Sequence, residues 1–292
     1  MSLLVVGEVI AEFLRLRRDS PLHETAEIMG PFPSGAPAIF ASAAARLGVA
    51  TELCAVVGDD PFGQLIRDRL ERDGVDISGV LTHPKRATAV AFVAYASTGE
   101  RNFVFHVSEA AAARLRPADL GARPEQAEWL HISGSSLALG SSLARTAVEA
   151  VRRVKLAGGR VSVDPNLRAE ATSRAVLTSI RSIVRQADVL FPSDGELDAL
   201  GLDEVELLEE GVVVCTTLAE RGARVRYRKV DVHVPAPFAN EVDPTGAGDI
   251  FAAGFVAATL QGAALVEATQ LGCRLAARSV ETLGPMESKV ER

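Results

Sequence analysis

Short apolar runs alternate with longer amphipathic stretches along most of the chain. Residues 3–6, 52–57, 129–132, 161–163, 189–191 and 212–215 are runs of mainly apolar residues and read as short buried strands. Between them, 38–47, 63–73, 143–156, 171–185 and 196–200 read as helices. Strands alternating with helices predict an α/β fold, a parallel sheet covered by helices on both faces. Two segments break this rhythm. Residues 10–16, and 90–95 with 103–107, alternate apolar and polar side chains, and Ser97-Thr98-Gly99-Glu100 reads as a hairpin turn. The pattern predicts a small antiparallel sheet from 10–35 and 86–108. It leaves 1–9, 36–85 and 109–292 as the body. One apolar face of such a sheet is expected to serve as a lid or a dimer surface.

Composition narrows the class. The 292 residues are 48% hydrophobic and 24% charged, ordinary for a globular protein. A net charge of −7 argues against a nucleic-acid partner and an anionic membrane surface. Cys54, Cys215 and Cys273 have no metal-ligand spacing and read as buried apolar residues, which fits a reducing cytoplasm. The run 3–6 is too short for a signal peptide, and 250–260 is too short to cross a bilayer.

The candidate chemistry sits near the C-terminus. Asp243-Pro244-Thr245-Gly246-Ala247-Gly248-Asp249 leads straight into Ile250-Phe251-Ala252-Ala253-Gly254-Phe255, a glycine turn opening into an apolar helix. A helix start offers backbone N–H groups and the positive end of a dipole, hence an anion site. A carboxylate at Asp249 would face that anion across a reacting group, the layout phosphoryl transfer needs. No GxxxxGK[ST] loop occurs, and position 251 is Phe where a dinucleotide fingerprint needs glycine.

Further motifs follow in order: Gly7-Glu8, Ser34-Gly35-Ala36-Pro37-Ala38, Gly58-Asp59-Asp60-Pro61-Phe62-Gly63, Asp73-Gly74-Val75-Asp76, Ser162-Val163-Asp164-Pro165-Asn166-Leu167-Arg168, and 243–249. Together they resemble the ribokinase-like (PfkB) carbohydrate kinases over nearly the whole chain. The resemblance implies a Rossmann-like three-layer α/β/α body, a β lid, ATP with Mg²⁺, and phosphorylation of a sugar hydroxyl. Within the family, residues 31–40 look most like the tagatose kinase subgroup. Gly7-Glu8 and the D-P-N-x-R run are similar to 2-keto-3-deoxygluconate kinases, and Asp243-Pro244-Thr245 to some inositol kinases.

The resemblance also implies roles. Asp249 is the general base, and Gly246, Ala247 and Gly248 donate N–H groups to the phosphates. Glu12 matches the family's acidic sugar-binding position, and Ser34 and Gly35 lie in its first signature. Arg101, Phe105 and His106 on the lid, with Arg168, are further candidates at the sugar, and His106 and Arg168 read equally as structural residues. Ser193, Glu196, Thr217, Gly222 and Gly248 lie at the nucleotide, with Glu196 reaching Mg²⁺ through water. Asp243 and Thr245 match positions that hold a monovalent cation such as K⁺ in some relatives; Asp243 reads equally well as a turn cap.

Four positions depart from the family pattern. Ser34 replaces the first glycine of the Gly-Gly signature, and Ile39 replaces an asparagine that binds a substrate hydroxyl. Ser193 replaces the asparagine of N-x-x-E, and Ala219 the glycine of T-x-G. The expected function is an ATP-dependent kinase of a ketose or keto-sugar acid, acting as a homodimer through the lid. The alternatives are a non-catalytic sugar- or nucleotide-binding homologue, or an inositol or nucleoside kinase.

Overall fold

The computed structural model describes residues 2–98, 101–167 and 173–291. The first part of the chain forms β1 (Ser2–Val6), β2 (Ile10–Arg15), β3 (Ile28–Ser34), α1 (Ala36–Arg46), β4 (Ala50–Gly58), α2 (Pro61–Arg72), β5 (Val80–His83), β6 (Ala89–Tyr95) and β7 (Arg101–His106). The middle forms α3 (Arg123–Gln126), β8 (Trp129–Ser133), α4 (Ser135–Ala138), α5 (Ser141–Leu156), β9 (Arg160–Asp164), α6 (Arg174–Val184), β10 (Val189–Leu190), α7 (Glu196–Leu200) and α8 (Glu204–Glu209). The chain ends with β11 (Val213–Thr217), β12 (Ala223–Tyr227), β13 (Val230–Val234), α9 (Ala247–Leu260) and α10 (Leu265–Ser279).

Among the described residues, nine strands form the main sheet in the order β13-β12-β11-β10-β9-β8-β1-β4-β5. Alternation along each strand builds two cores. Leu3, Val5, Leu53, Ala55 and Val57 pack with α1, α2, α9 and α10. Leu4, Val6, Cys54, Val56, Leu130 and Ile132 pack with α5 and α6 on the other face. Each fully buried Leu or Val contributes about 1.5–3 kcal/mol relative to exposure. This is the expected three-layer α/β/α body. The sheet is parallel from β5 to β11, but β12 and β13 run antiparallel at its edge. The expectation of a wholly parallel sheet missed this hairpin, whose short turn at Arg228 cannot carry a parallel crossover.

The second sheet has the order β3-β2-β6-β7. The β2–β3 and β6–β7 pairs are antiparallel, with Tyr95 opposite Arg101, but β2 and β6 run parallel. The expected all-antiparallel sheet is corrected here. The chain leaves β3, builds α1, β4, α2 and β5, and only then returns as β6, a crossover that makes parallel pairing possible. Residues 99 and 100 of the β6–β7 turn lie outside the described residues.

Two features place the functional region. The chain builds outward from β1 to β4 and β5 on one side, and through β8 to β13 on the other. Ligands of open α/β sheets bind at such a reversal, beyond the carboxyl ends of the strands. Helix α9 is buried from Asp249 to Ala258. A Cβ at Gly254 would meet Gly272 Cα at 3.2 Å, so paired glycines let α9 and α10 cross closely. Among the described residues, no helix is long and apolar enough to cross a membrane.

Candidate active site

Helix α9 starts from Gly246, whose φ of 81° is left-handed. A Cβ there would lie 3.0 Å from Ile39 Cδ1, so glycine is demanded by both backbone and packing. Gly248 differs. A Cβ at Gly248 would meet nothing within 4 Å, leaving open space beside the first turn. That space and the N–H groups of a helix start fit a phosphate. Asp249, third in the helix and 8% exposed, lines a cavity of about 410 Å³ together with Gly246 and Thr245.

The same cavity is lined by Glu12, Ser34, Gly35, Ile39, Arg101 and Phe105. Glu12 and Ser34 are buried, and Ser34 Oγ donates to Glu12 Oε2 at 2.8 Å. Gly35 has a φ of 106°, and a Cβ would stand 2.9 Å from Glu8 O, so its backbone alone requires glycine. Strand β7 presents Arg101, Phe103 and Phe105 to the cavity. The Arg101 guanidinium lies over the Phe103 ring at 5.8 Å, and Phe103 stacks on Phe105 at 5.2 Å. His106, expected at the sugar, lies on the other face of β7, edge-on to Phe92. Adjacent strand residues point to opposite faces, so Phe105 and His106 do not share one site.

The cavity floor holds residues the motif reading did not single out for the site. Glu8, 2% exposed, follows β1. Its Oε1 accepts from Ser135 Oγ at 2.8 Å, and Ser136 Oγ donates to Oε2. Ser135 meets Ser133 Oγ at 2.8 Å, and Asn166 Nδ2 donates to Ser133 Oγ at 3.2 Å. A polar chain thus crosses the carboxyl ends of β1, β8 and β9. The available signal was a charged residue directly after an apolar strand, with Ser133-Gly134-Ser135-Ser136 directly after another.

Glu196, expected at the nucleotide, accepts hydrogen bonds from the Leu167 N–H and, at 2.8 Å, the Ser193 N–H. Burial raises its pKa above the usual carboxylate range, and these two amides oppose that rise. The carboxylate first of all ties 165–167 to the start of α7, with lone pairs left for a water. Thr217 Oγ1 reaches Pro192 O at 3.4 Å, and the Thr217 backbone bridges Ser193. Gly222 has a φ of 97°, and a Cβ would collide with Val234 O. Ala219 holds a φ of 53°, so the missing glycine leaves an alanine in left-handed backbone. Among the described residues no group of three or more His, Cys, Asp or Glu is placed to hold a metal. Arg168 lies outside the described residues.

Asp243 and Thr245, expected at a monovalent cation, are tied to each other and to Tyr95. Asp243 Oδ1 accepts from Tyr95 Oη at 2.6 Å and from the Thr245 N–H at 3.0 Å, and Oδ2 accepts from the Gly284 N–H at 2.9 Å. Thr245 Oγ1 is 2.7 Å from the same phenol. Both side chains are closed onto Tyr95, and Asp243 caps its own turn.

Comparison with known proteins bears on this geometry. The profile of the pfkB family carbohydrate kinases matches residues 1–292. A fructokinase of Vibrio alginolyticus is 34% identical over 235 residues, 77% of this chain and 76% of that protein. A fructokinase of Escherichia coli is 35% identical over 237 residues, with the same coverage. An E. coli protein assigned as ribokinase II, in complex with ATP and Mg²⁺, superposes with a TM-score of 0.92 at 33% identity, covering 98% of this chain and 95% of that one. A fructokinase of Vibrio cholerae O395 bound to fructose, ADP and calcium superposes with a TM-score of 0.84 at 27% identity, again over 98% and 95%.

Proposed function

The chain belongs to the pfkB family of carbohydrate kinases, uses ATP with Mg²⁺, and from that premise we propose that it phosphorylates a ketose or keto-sugar acid. One observation carries the site assignment. Asp249, the Gly246 helix start and the Glu12–Ser34 pair line one cavity. Relatives named fructokinase, one of them with fructose bound, support a ketose.

Glu12 holds a pair of sugar hydroxyls, and Ser34 keeps its carboxylate aimed at them. Asp249 accepts the proton of the attacking hydroxyl as the phosphoryl group moves. The first-turn N–H groups of α9 stabilise charge on that group, and the space beside Gly248 lets it approach. Mg²⁺ on the nucleotide neutralises phosphate charge. The four-stranded sheet acts as a lid, with Phe103 and Phe105 excluding water. Arg101 is the cation that lines the cavity among the described residues, and it meets an oxidised or polar end of the sugar. Arg168 directly follows the cavity residues Asn166 and Leu167 and is the second candidate.

The test is kcat/KM for 2-keto-3-deoxygluconate, tagatose, fructose, inositol and adenosine side by side. Inositol or adenosine leading by about tenfold or more, a gap of about 1.4 kcal/mol, removes the ketose reading. Sugar binding without ADP release on the whole panel favours a non-catalytic homologue. Leu16, Ile28, Met29 and Val104, all exposed on the lid, support a homodimer through that sheet. Sedimentation equilibrium at micromolar protein checks it, and a monomer rejects it.

A further inference from the structure

Tyr95 ties the lid to the loop that leads into α9. It ends β6 and is 8% exposed. Its hydroxyl proton goes to Asp243 Oδ1 at 2.6 Å, so the Thr245 hydroxyl, 2.7 Å away, donates to the phenol oxygen. The Thr245 N–H donates to the same Asp243 oxygen, and the Gly284 N–H holds the other. Both lone pairs of Oδ1 are therefore taken by protein donors. The next residue is Gly246, whose left-handed backbone aims the first turn of α9 at the cavity. The torsions of this short run are held by a side chain 148 positions away in sequence.

We propose that Tyr95 is a positioning residue for phosphoryl transfer, fixing the Asp243–Thr245 loop in place of a monovalent cation, so that turnover does not require one. A cation and protein donors compete for the lone pairs of the Asp243 carboxylate, and three of these are already taken, one by the Tyr95 hydroxyl. A buried carboxylate satisfied by three donors gains little from a further ligand. The proposal rests on the reading of Asp249 and the Gly246 helix start as the phosphoryl-transfer centre.

Tyr95→Phe removes the hydroxyl and keeps the ring. Wild type and variant are compared in potassium chloride and tetramethylammonium chloride at equal ionic strength. The readouts are steady-state kinetics on the best sugar, calorimetric Kd for a nonhydrolysable ATP analogue, and melting temperature. Wild type is expected to be indifferent to the salt in both kcat and Kd. In tetramethylammonium the variant should lose about 10- to 100-fold in kcat, the size of one hydrogen bond to a charged acceptor. Its sugar KM should hold, and potassium should recover part of both kcat and analogue affinity. Wild type stimulated about tenfold by potassium, or a variant within about twofold of wild type in kcat and Kd, overturns the proposal. If Tyr95→Phe does not fold, Thr245→Val breaks the bridge from its other end, and an unchanged kcat there overturns it equally. Absence of turnover by wild type on every sugar would remove the reading of the centre itself, while the salt dependence of the analogue Kd still decides the role of Tyr95.

Discussion

Ser34 Oγ donates a 2.8 Å hydrogen bond to Glu12 Oε2, and both residues are almost fully buried. Ser34 pairs directly with Ile10, so the bond runs diagonally across the β2–β3 pair. The serine that departs from the family's Gly-Gly signature thus clamps the acid expected to bind the sugar.

Restoring the family residue with Ser34→Gly is therefore expected to harm this protein. A buried hydrogen bond to a charged acceptor contributes about 1.5–3 kcal/mol. Sugar kcat/KM should fall about tenfold or more, with ATP KM nearly unchanged. Steady-state kinetics and a denaturant melt check it, and a variant with wild-type sugar kinetics removes the clamp.

Asp249→Asn keeps the shape of the side chain and loses the proton acceptor. Single-turnover phosphoryl transfer should fall by about 10²–10⁴-fold while nucleotide Kd stays close to wild type. Transfer within about tenfold of wild type would exclude Asp249 as the base.

Gly248→Val and Gly246→Ala should fail in different ways. Gly248 has open space where a side chain would project, so the variant should fold normally and lose kcat/KM for ATP. Gly246 is left-handed and packed against Ile39, so its variant should lose about 1–2 kcal/mol of stability as well. Paired melting curves and ATP kinetics separate them. An active, stable Gly248→Val overturns the anion-site assignment.

His131 is fully buried, stacked on Phe40 at 3.6 Å, with Nδ1 2.9 Å from Ser162 Oγ. Burial pushes its pKa down to about 3. Between about pH 6.5 and 3 the unfolded chain protonates this imidazole and the folded chain does not. Its contribution is present above pH 6.5 and is lost on acidification through that window, by up to about 1.4 kcal/mol per pH unit. His131→Phe should make the decline of stability between pH 6 and 4 shallower by a sizeable part of that slope, about 1 kcal/mol per unit. Urea melts across this range test it, and an unchanged slope shows that other groups control the acid sensitivity.

Much of this molecule was written locally. The alternation of apolar runs determined the three-layer body, because burial of a strand on both faces leaves a continuous apolar signature. Gly246-Ala247-Gly248-Asp249 determined a helix start with an acid in its first turn, since capping and helix geometry act within a few residues. The two-residue period of β7 already separated Phe105 from His106. What tertiary structure decided involves residues far apart along the chain. The parallel β2–β6 pairing follows from the route of the chain between those strands. The Glu8–Ser135 contact spans 127 positions and the Tyr95–Asp243 bond 148. Local propensity says nothing about such partners. They meet because the sheet reverses its order beside β1 and because the buried α9 starts at the cavity that the second sheet also lines.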